Sequence, residues 1–165
     1  MFKRDKKRFQ NNLGLIDDNQ TKIYGAQASG CSPISTAVKN GWETFKPVKP
    51  DTIAKSLAIG NPADGLNAIN LLNDIDSYSE DVSDDEIVSA MKLLAETEGI
   101  FTETAGGVTL GCTIKMIENG KINKDEDLVL VITGNGLKTQ DPLINNIKKP
   151  FIINPKLDEF NKINY

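Results

Sequence analysis

Three short segments carry residues whose types and spacing can handle a flat, anionic ligand. The first is Leu130-Val131-Ile132-Thr133-Gly134-Asn135-Gly136. Thr133 places a hydroxyl at the end of an aliphatic run, and the glycines let a ligand approach the backbone closely. A hydroxyl suits a ring nitrogen that stays unprotonated, whereas an aspartate there would favour a pyridinium. The same residues also make an ordinary glycine-rich turn. The second segment is Phe101-Thr102-Glu103-Thr104-Ala105-Gly106-Gly107. Small residues at a helix start free amides for an anion, and Glu103 can accept a hydrogen bond near a ligand. Read plainly, Glu103 is a helix N-terminal charge favoured by the macrodipole. The third is Ile59-Gly60-Asn61-Pro62. Its isoleucine can press on the face of a ring, or the proline can simply open a helix.

Elements of both kinds must position these segments. A charged helix is expected over Phe2–Leu13, stopped by Gly14. Lys22–Ala28 reads as a short strand, and a helix follows from Ser32-Pro33 to Asn40-Gly41. Asp51 is expected to cap Thr52–Leu57, and Pro62 to open a helix with Leu66, Ile69 and Leu72 on one face. Asp74–Asp81 is polar and reads as a loop. Ser83-Asp84-Asp85-Glu86 is a capping box opening a helix that buries Ile87, Met91, Leu94 and Ala95 and ends at Gly99. Ile100-Phe101-Thr102 reads as a short buried strand, then a helix runs from about Gly106 to Asn119 with Val108, Leu110, Ile114 and Ile117 apolar. Leu128–Thr133 is nearly all aliphatic, so it is expected as a strand buried on both faces. Alternating strands and helices predict an α/β fold with a largely parallel sheet. Ligands of such sheets sit at the carboxyl ends of the strands.

Composition bounds the chemistry. With 165 residues the chain suits one domain or a piece of a larger enzyme, and 39% hydrophobic with 25% charged residues is ordinary for a globular protein. There is no histidine, which excludes histidine-based triads, haem ligation and most zinc sites, so no metal centre is expected. The two cysteines, Cys31 and Cys112, lie far apart without metal spacing; reduced thiols point to the cytoplasm. A net charge of -4 argues against a nucleic-acid partner. The run Lys3, Arg4, Lys6, Lys7, Arg8 could meet anionic lipid or RNA, but without an aromatic platform it is expected to be a solvated helix face. No apolar stretch is long enough for a membrane span.

Taken in order, Tyr24–Ile34 (YGAQASGCSPI), Asp51–Gly65 (DTIAKSLAIGNPADG), Val82–Gly107 (VSDDEIVSAMKLLAETEGIFTETAGG) and Leu128–Leu143 (LVLVITGNGLKTQDPL) resemble the threonine synthases, enzymes of the fold-type II pyridoxal-phosphate (PLP) group. The resemblance covers nearly the whole chain and corresponds to the carboxy-terminal half of that family. It implies a partial three-layer α/β domain over residues 1–165, with 142–165 as a tail wrapping the surface. The family converts O-phospho-L-homoserine and water to L-threonine and phosphate. By analogy Thr133 matches the residue that meets the pyridine nitrogen; Ile59, Gly60 and Asn61 match the segment lining the ring; Glu103, Ala105 and Gly106 match the turn beside the cofactor.

Departures accompany these matches. The lysine that carries PLP as a Schiff base sits in a serine-lysine-aspartate setting in the family, and no such setting occurs here. No catalytic residue is therefore assigned, and covalent PLP binding by this chain is not expected. Lys55 matches a family position without a catalytic role, and Lys138 is expected to face solvent. Thr104 stands where the wider group commonly has proline. One expectation is half of a split threonine synthase that acts with a separate chain carrying the amino-terminal half. The alternative is a non-catalytic fragment, or a small-molecule-binding or interaction module. Alone, the chain would leave sheet edges and apolar faces open, which predicts homo-oligomers or poor solubility.

Overall fold

The computed structural model describes residues 22–144 and 146–163. The helix expected over Phe2–Leu13 lies outside them. Two strands, β1 (Gly25–Ala28) and β2 (Ser79–Val82), pair in parallel with Gly25 opposite Ser79 and Ala28 opposite Val82. Between them the chain passes through α1 (Pro33–Lys39), a 3-10 turn at Lys55–Leu57 and α2 (Gly65–Asp74). After β2 come α3 (Asp84–Glu98), α4 (Thr104–Glu118), a 3-10 turn at Gly136–Lys138 and two short helices, α5 (Asp141–Ile144) and α6 (Leu157–Phe160). No helix among the described residues is long and apolar enough to cross a membrane.

Alternation along β2 sends its side chains to two layers of helices. Ser79 meets Ser35 of α1, hydroxyl to hydroxyl at 2.7 Å. Val82, of the opposite parity, lies beside Gly111 of α4. The core forms on the α4 side, where Ala28 and Val82 cluster with Ile87, Met91, Val108, Cys112 and Met116. Gly107 lets α4 lie on α3, because a Cβ there would reach within 2.8 Å of the Ile87 carbonyl oxygen. The α/β class with parallel pairing agrees with the sequence expectation.

Local signals worked where one residue could satisfy its own neighbours. Ser83 accepts from the Glu86 amide (3.3 Å) while Glu86 accepts from the Ser83 amide (2.6 Å), so the expected capping box is present. Gly99 ends α3 at φ +67°, the left-handed cap that glycine adopts without Cβ strain.

Several expectations fail because the partners lie far along the chain. Asp74–Asp81 is not simply a loop: Ser79, Glu80 and Asp81 lie in β2. Its polar side chains are paired with Ser35, Lys39 and Ser29, so no apolar alternation announces it. Asp51 caps nothing; the Asp84 carboxylate instead accepts from the Thr52 hydroxyl at 2.6 Å and the Ile53 amide at 3.2 Å. Helix α2 begins at Gly65, beyond Pro62, and leaves Leu66 exposed while Ile69 and Leu72 are buried. On α3, Ala90 rather than Ala95 completes the buried face. Of Ile100-Phe101-Thr102 only Thr102 is buried, and it makes a single bridge to Asn135.

Leu128–Thr133 departs most. It forms no strand, and Val129 and Val131 are 91% and 66% exposed. A strand needs a neighbour for its backbone groups, and among the described residues none lies alongside. Beyond it the chain continues through α5 and α6 to residue 163, with Phe151 and Ile152 exposed.

Candidate functional site

Two of the three segments singled out in the sequence come together. The bridge between Thr102 and Asn135 lays the turn before α4 against the glycine turn. The Glu103 amide donates to the Gly134 carbonyl at 3.0 Å, and the Gly136 amide to the Phe101 carbonyl at 2.9 Å. The buried Thr102 hydroxyl donates to the Glu103 carbonyl at 3.1 Å and lies 3.3 Å from that of Gly134. The glycines are there chiefly for this internal fit. A Cβ at Gly134 would overlap the Glu103 carboxylate, one at Gly136 would strike the Phe101 ring, and one at Gly106 would overlap the Thr102 hydroxyl.

Thr133 directly precedes Gly134, the residue held on Glu103, and is exposed. Glu103 itself is buried, and its Oε2 lies 3.1 Å from Lys138 Nζ. That contact is an ion pair without hydrogen-bond geometry, which leaves Oε2 without a hydrogen-bond donor; the Thr104 hydroxyl, fully buried, has none either. Lys138 is 64% exposed, so it faces solvent as expected yet also serves as the counter-ion of Glu103. No local pattern along the chain hinted at that pairing. Ala105 is half-buried, and its carbonyl accepts from Thr109. The Gly106 and Gly107 amides are taken by the Glu103 carbonyl at 3.0 and 3.3 Å, so they are not free to hold an anion.

The third segment is anchored elsewhere. Gly60 is buried against the Val48–Pro50 stretch, accepting from the Val48 amide at 3.0 Å, and a Cβ there would overlap the Val48 carbonyl. Ile59 and Asn61 are exposed. The 3-10 turn just before them packs on α4. The buried thiol of Cys31 also meets the Ile59 backbone; burial pushes that thiol up more than this contact lowers it.

A polar cluster that sequence reading missed lies on the α1 side of β2. Lys39 pairs with Glu80 and, at 2.6 Å, with Asp81. Burial acts to raise the Asp81 carboxyl, but hydrogen bonds from Lys39 and Ser29 outweigh it and hold the group below its ordinary value. Cys112, across the sheet, lies 3.3 Å from the Glu80 carbonyl; burial pushes its thiol up to about 12.

For a flat heteroaromatic ring the set fits in part. It offers an exposed threonine at Thr133, a buried carboxylate at Glu103 packed on the following Gly134, and an exposed aliphatic at Ile59. Among the described residues no group of three or more histidine, cysteine, aspartate or glutamate side chains could hold a metal.

The sequence is 38% identical to the threonine synthase of Methanocaldococcus jannaschii over 151 residues, which is 91% of this chain and 37% of that protein. It is 44% identical to the threonine synthase of Bacillus sp. (strain ULM1) over 125 residues, 76% of this chain and 34% of that one. The chain thus spans little more than a third of the length of these relatives. In fold it is similar to the T.th. threonine deaminase, with a TM-score of 0.50 and 13% identity over 66% of this chain and 42% of that structure. The profile described as pyridoxal-phosphate dependent enzyme matches residues 7–134, most of the chain and both halves of the Glu103–Gly134 contact, and the chain belongs to that family.

Proposed function

We propose that this chain is the carboxy-terminal portion of a threonine synthase and supplies the ring-nitrogen side of its PLP site, acting with a complementary chain that carries the rest. The reaction is the conversion of O-phospho-L-homoserine and water to L-threonine and phosphate. The observation that supports this reading is the Thr102–Asn135 bridge, with the Glu103 amide on the carbonyl of Gly134, the residue after Thr133, in a chain 38% and 44% identical to proteins named threonine synthase. When bound, PLP supplies the electron sink for the chemistry.

The chain's own residues have limited roles in it. Thr133 would offer a hydroxyl to the ring nitrogen, a partner that suits an unprotonated nitrogen. Glu103, held by its amide on the Gly134 carbonyl, keeps a fixed carboxylate near the ring. Gly60 and Asn61, by resemblance to the family, would line the ring, and Ile59 would supply an apolar contact to it. Ala105 and Gly106 keep the first turn of α4 slim enough to approach. The two buried, unpaired cysteines support a reducing compartment, the cytoplasm.

Co-expression with the part of the M. jannaschii threonine synthase that precedes the matched region tests this. Phosphate release from phosphohomoserine that requires both chains and PLP is expected. A purified pair that binds PLP without releasing phosphate would exclude the threonine synthase assignment. The missing serine-lysine-aspartate setting favours a second reading, a non-catalytic fragment. Borohydride treatment of the lone chain with PLP separates the two. A stoichiometric adduct on one lysine contradicts the second reading, which predicts none.

A further inference from the structure

A second concavity lies outside the candidate site. Helix α3, Phe101 and α5 frame a groove of about 470 Å³, within the size range of small-molecule sites. Met91, Ala95, Phe101 and Leu143 make it apolar, and Lys92 and Glu96 of α3 line it as well. Those two residues stand one helical turn apart, where opposite charges ordinarily pair. Here they do not: among the described residues neither side chain makes a hydrogen bond or an ion pair. Lysine precedes glutamate, the order that the helix dipole disfavours for such a pair. The apolar groove thus carries one cation and one anion, both unpaired, on the same helix.

We propose that this groove binds a free α-amino acid with a large apolar side chain. Glu96 takes the α-ammonium, Lys92 takes the α-carboxylate, and the side chain lies against Met91 and the Phe101 ring. The two ends of a zwitterion need opposite charges close together, and one turn of α3 supplies them. An aromatic side chain gains most, since it stacks on Phe101 and meets the Met91 sulfur. A peptide strand has neither charged end and leaves both residues unmatched. The assignment is independent of the threonine synthase reading.

The wall of the groove is also part of the frame of the candidate site. The Gly136 amide donates to the Phe101 carbonyl at 2.9 Å, and the Phe101 ring fills the space that a Cβ at Gly136 would take. Leu137 lines the groove, and the next residue, Lys138, pairs with Glu103. An occupant resting on Phe101 and Leu137 therefore steadies the turn that supplies the counter-ion of Glu103.

Titration of the whole chain with L-phenylalanine, read by calorimetry and by amide hydrogen exchange, tests this. Saturable one-to-one binding is expected, with the Gly136 amide slowed on the order of tenfold at saturation. N-acetyl-L-phenylalanine amide keeps the ring without the charges, and glycine keeps the charges without an apolar side chain. Each should bind about tenfold more weakly or worse. Lys92→Met and Glu96→Gln, both on the solvent side of α3, should each weaken binding on the order of fivefold and leave the thermal transition unchanged. No binding at millimolar ligand overturns the proposal. So does equal affinity for the blocked amide or for glycine, or full affinity in both charge variants. Protection of the Gly136 amide that rises with protein concentration in the absence of ligand also overturns it, because a second copy then occupies the groove.

Discussion

Lys138 Nζ stands 3.1 Å from Glu103 Oε2, so an exposed lysine from the glycine turn neutralises a carboxylate whose side chain is 5% exposed. The pair joins the two segments that converge at the candidate site. Removing the lysine would leave a buried charge without a counter-ion. Lys138→Met should therefore cost about 2 kcal/mol, discounted from the fully buried case because the lysine is mostly solvated. Adding Glu103→Gln should recover part of that loss in urea denaturation. Equal losses in the single and double variants would show that the two residues do not interact.

Gly134 and Glu103 compete for the same space. A Cβ at position 134 would overlap the carboxylate, so Gly134→Ala should destabilise by about 1 to 3 kcal/mol through overpacking. Glu103→Ala in the same chain should relieve part of that cost, giving clear non-additivity in a double-mutant cycle. Additive losses would mean that the alanine methyl is accommodated without moving Glu103.

The cluster on β2 predicts an acid-side dependence of stability. Asp81 has a folded pKa below its unfolded value, so its contribution is present above about pH 3.9. It is lost as pH falls through the depressed folded value. Asp81→Asn should cost about 2 kcal/mol at neutral pH by weakening charge-assisted hydrogen bonds. The gap between variant and parent should close in strongly acidic solution. For Lys39 burial works downward, but hydrogen bonds to Asp81 and Glu80 raise the ammonium pKa. Its contribution is full below about pH 10.4 and is lost as pH rises through the folded value. Denaturation midpoints across pH measure both; a gap that stays constant into acid contradicts the Asp81 assignment.

Both thiols should be inert in the native chain. Cys31 and Cys112 are buried, and desolvation holds the Cys112 thiol up at about 12, so thiolate is scarce at neutral pH. Labelling with an aromatic disulfide reagent should follow unfolding. Rapid labelling of either residue under native conditions would show local opening of the turn between β1 and α1, for Cys31, or of α4, for Cys112.

The α3 cap offers a control remote from the candidate site. Ser83→Ala removes the hydroxyl that accepts from the Glu86 amide and should cost about 1 kcal/mol. Thermal unfolding reads this directly, and an unchanged transition would mean that water replaces the hydroxyl without loss.

What could be read along the chain was what depends on near neighbours. The Ser83–Glu86 box, the left-handed cap at Gly99, the proline-started α1 and the apolar face of α3 each follow from residues a turn apart. Glycine and small residues were legible too, as marks of places where chain segments must touch. What they touch was not legible. The glycines of the Thr133–Gly136 turn make room for Glu103 and Phe101. Glu80 and Asp81 were read as loop because the lysine and serine that make them tolerable in a strand come from elsewhere in the chain.

By itself, then, the amino-acid sequence determined the α/β class and the ends of α3, since propensity, capping and glycine geometry are local. Tertiary structure decided that Glu103 is paired with Lys138, that a polar stretch becomes β2 and that Leu128–Thr133 has no strand partner among the described residues. Ion pairs and strand ladders are made between residues far apart in the chain, and only the folded arrangement brings their partners within reach.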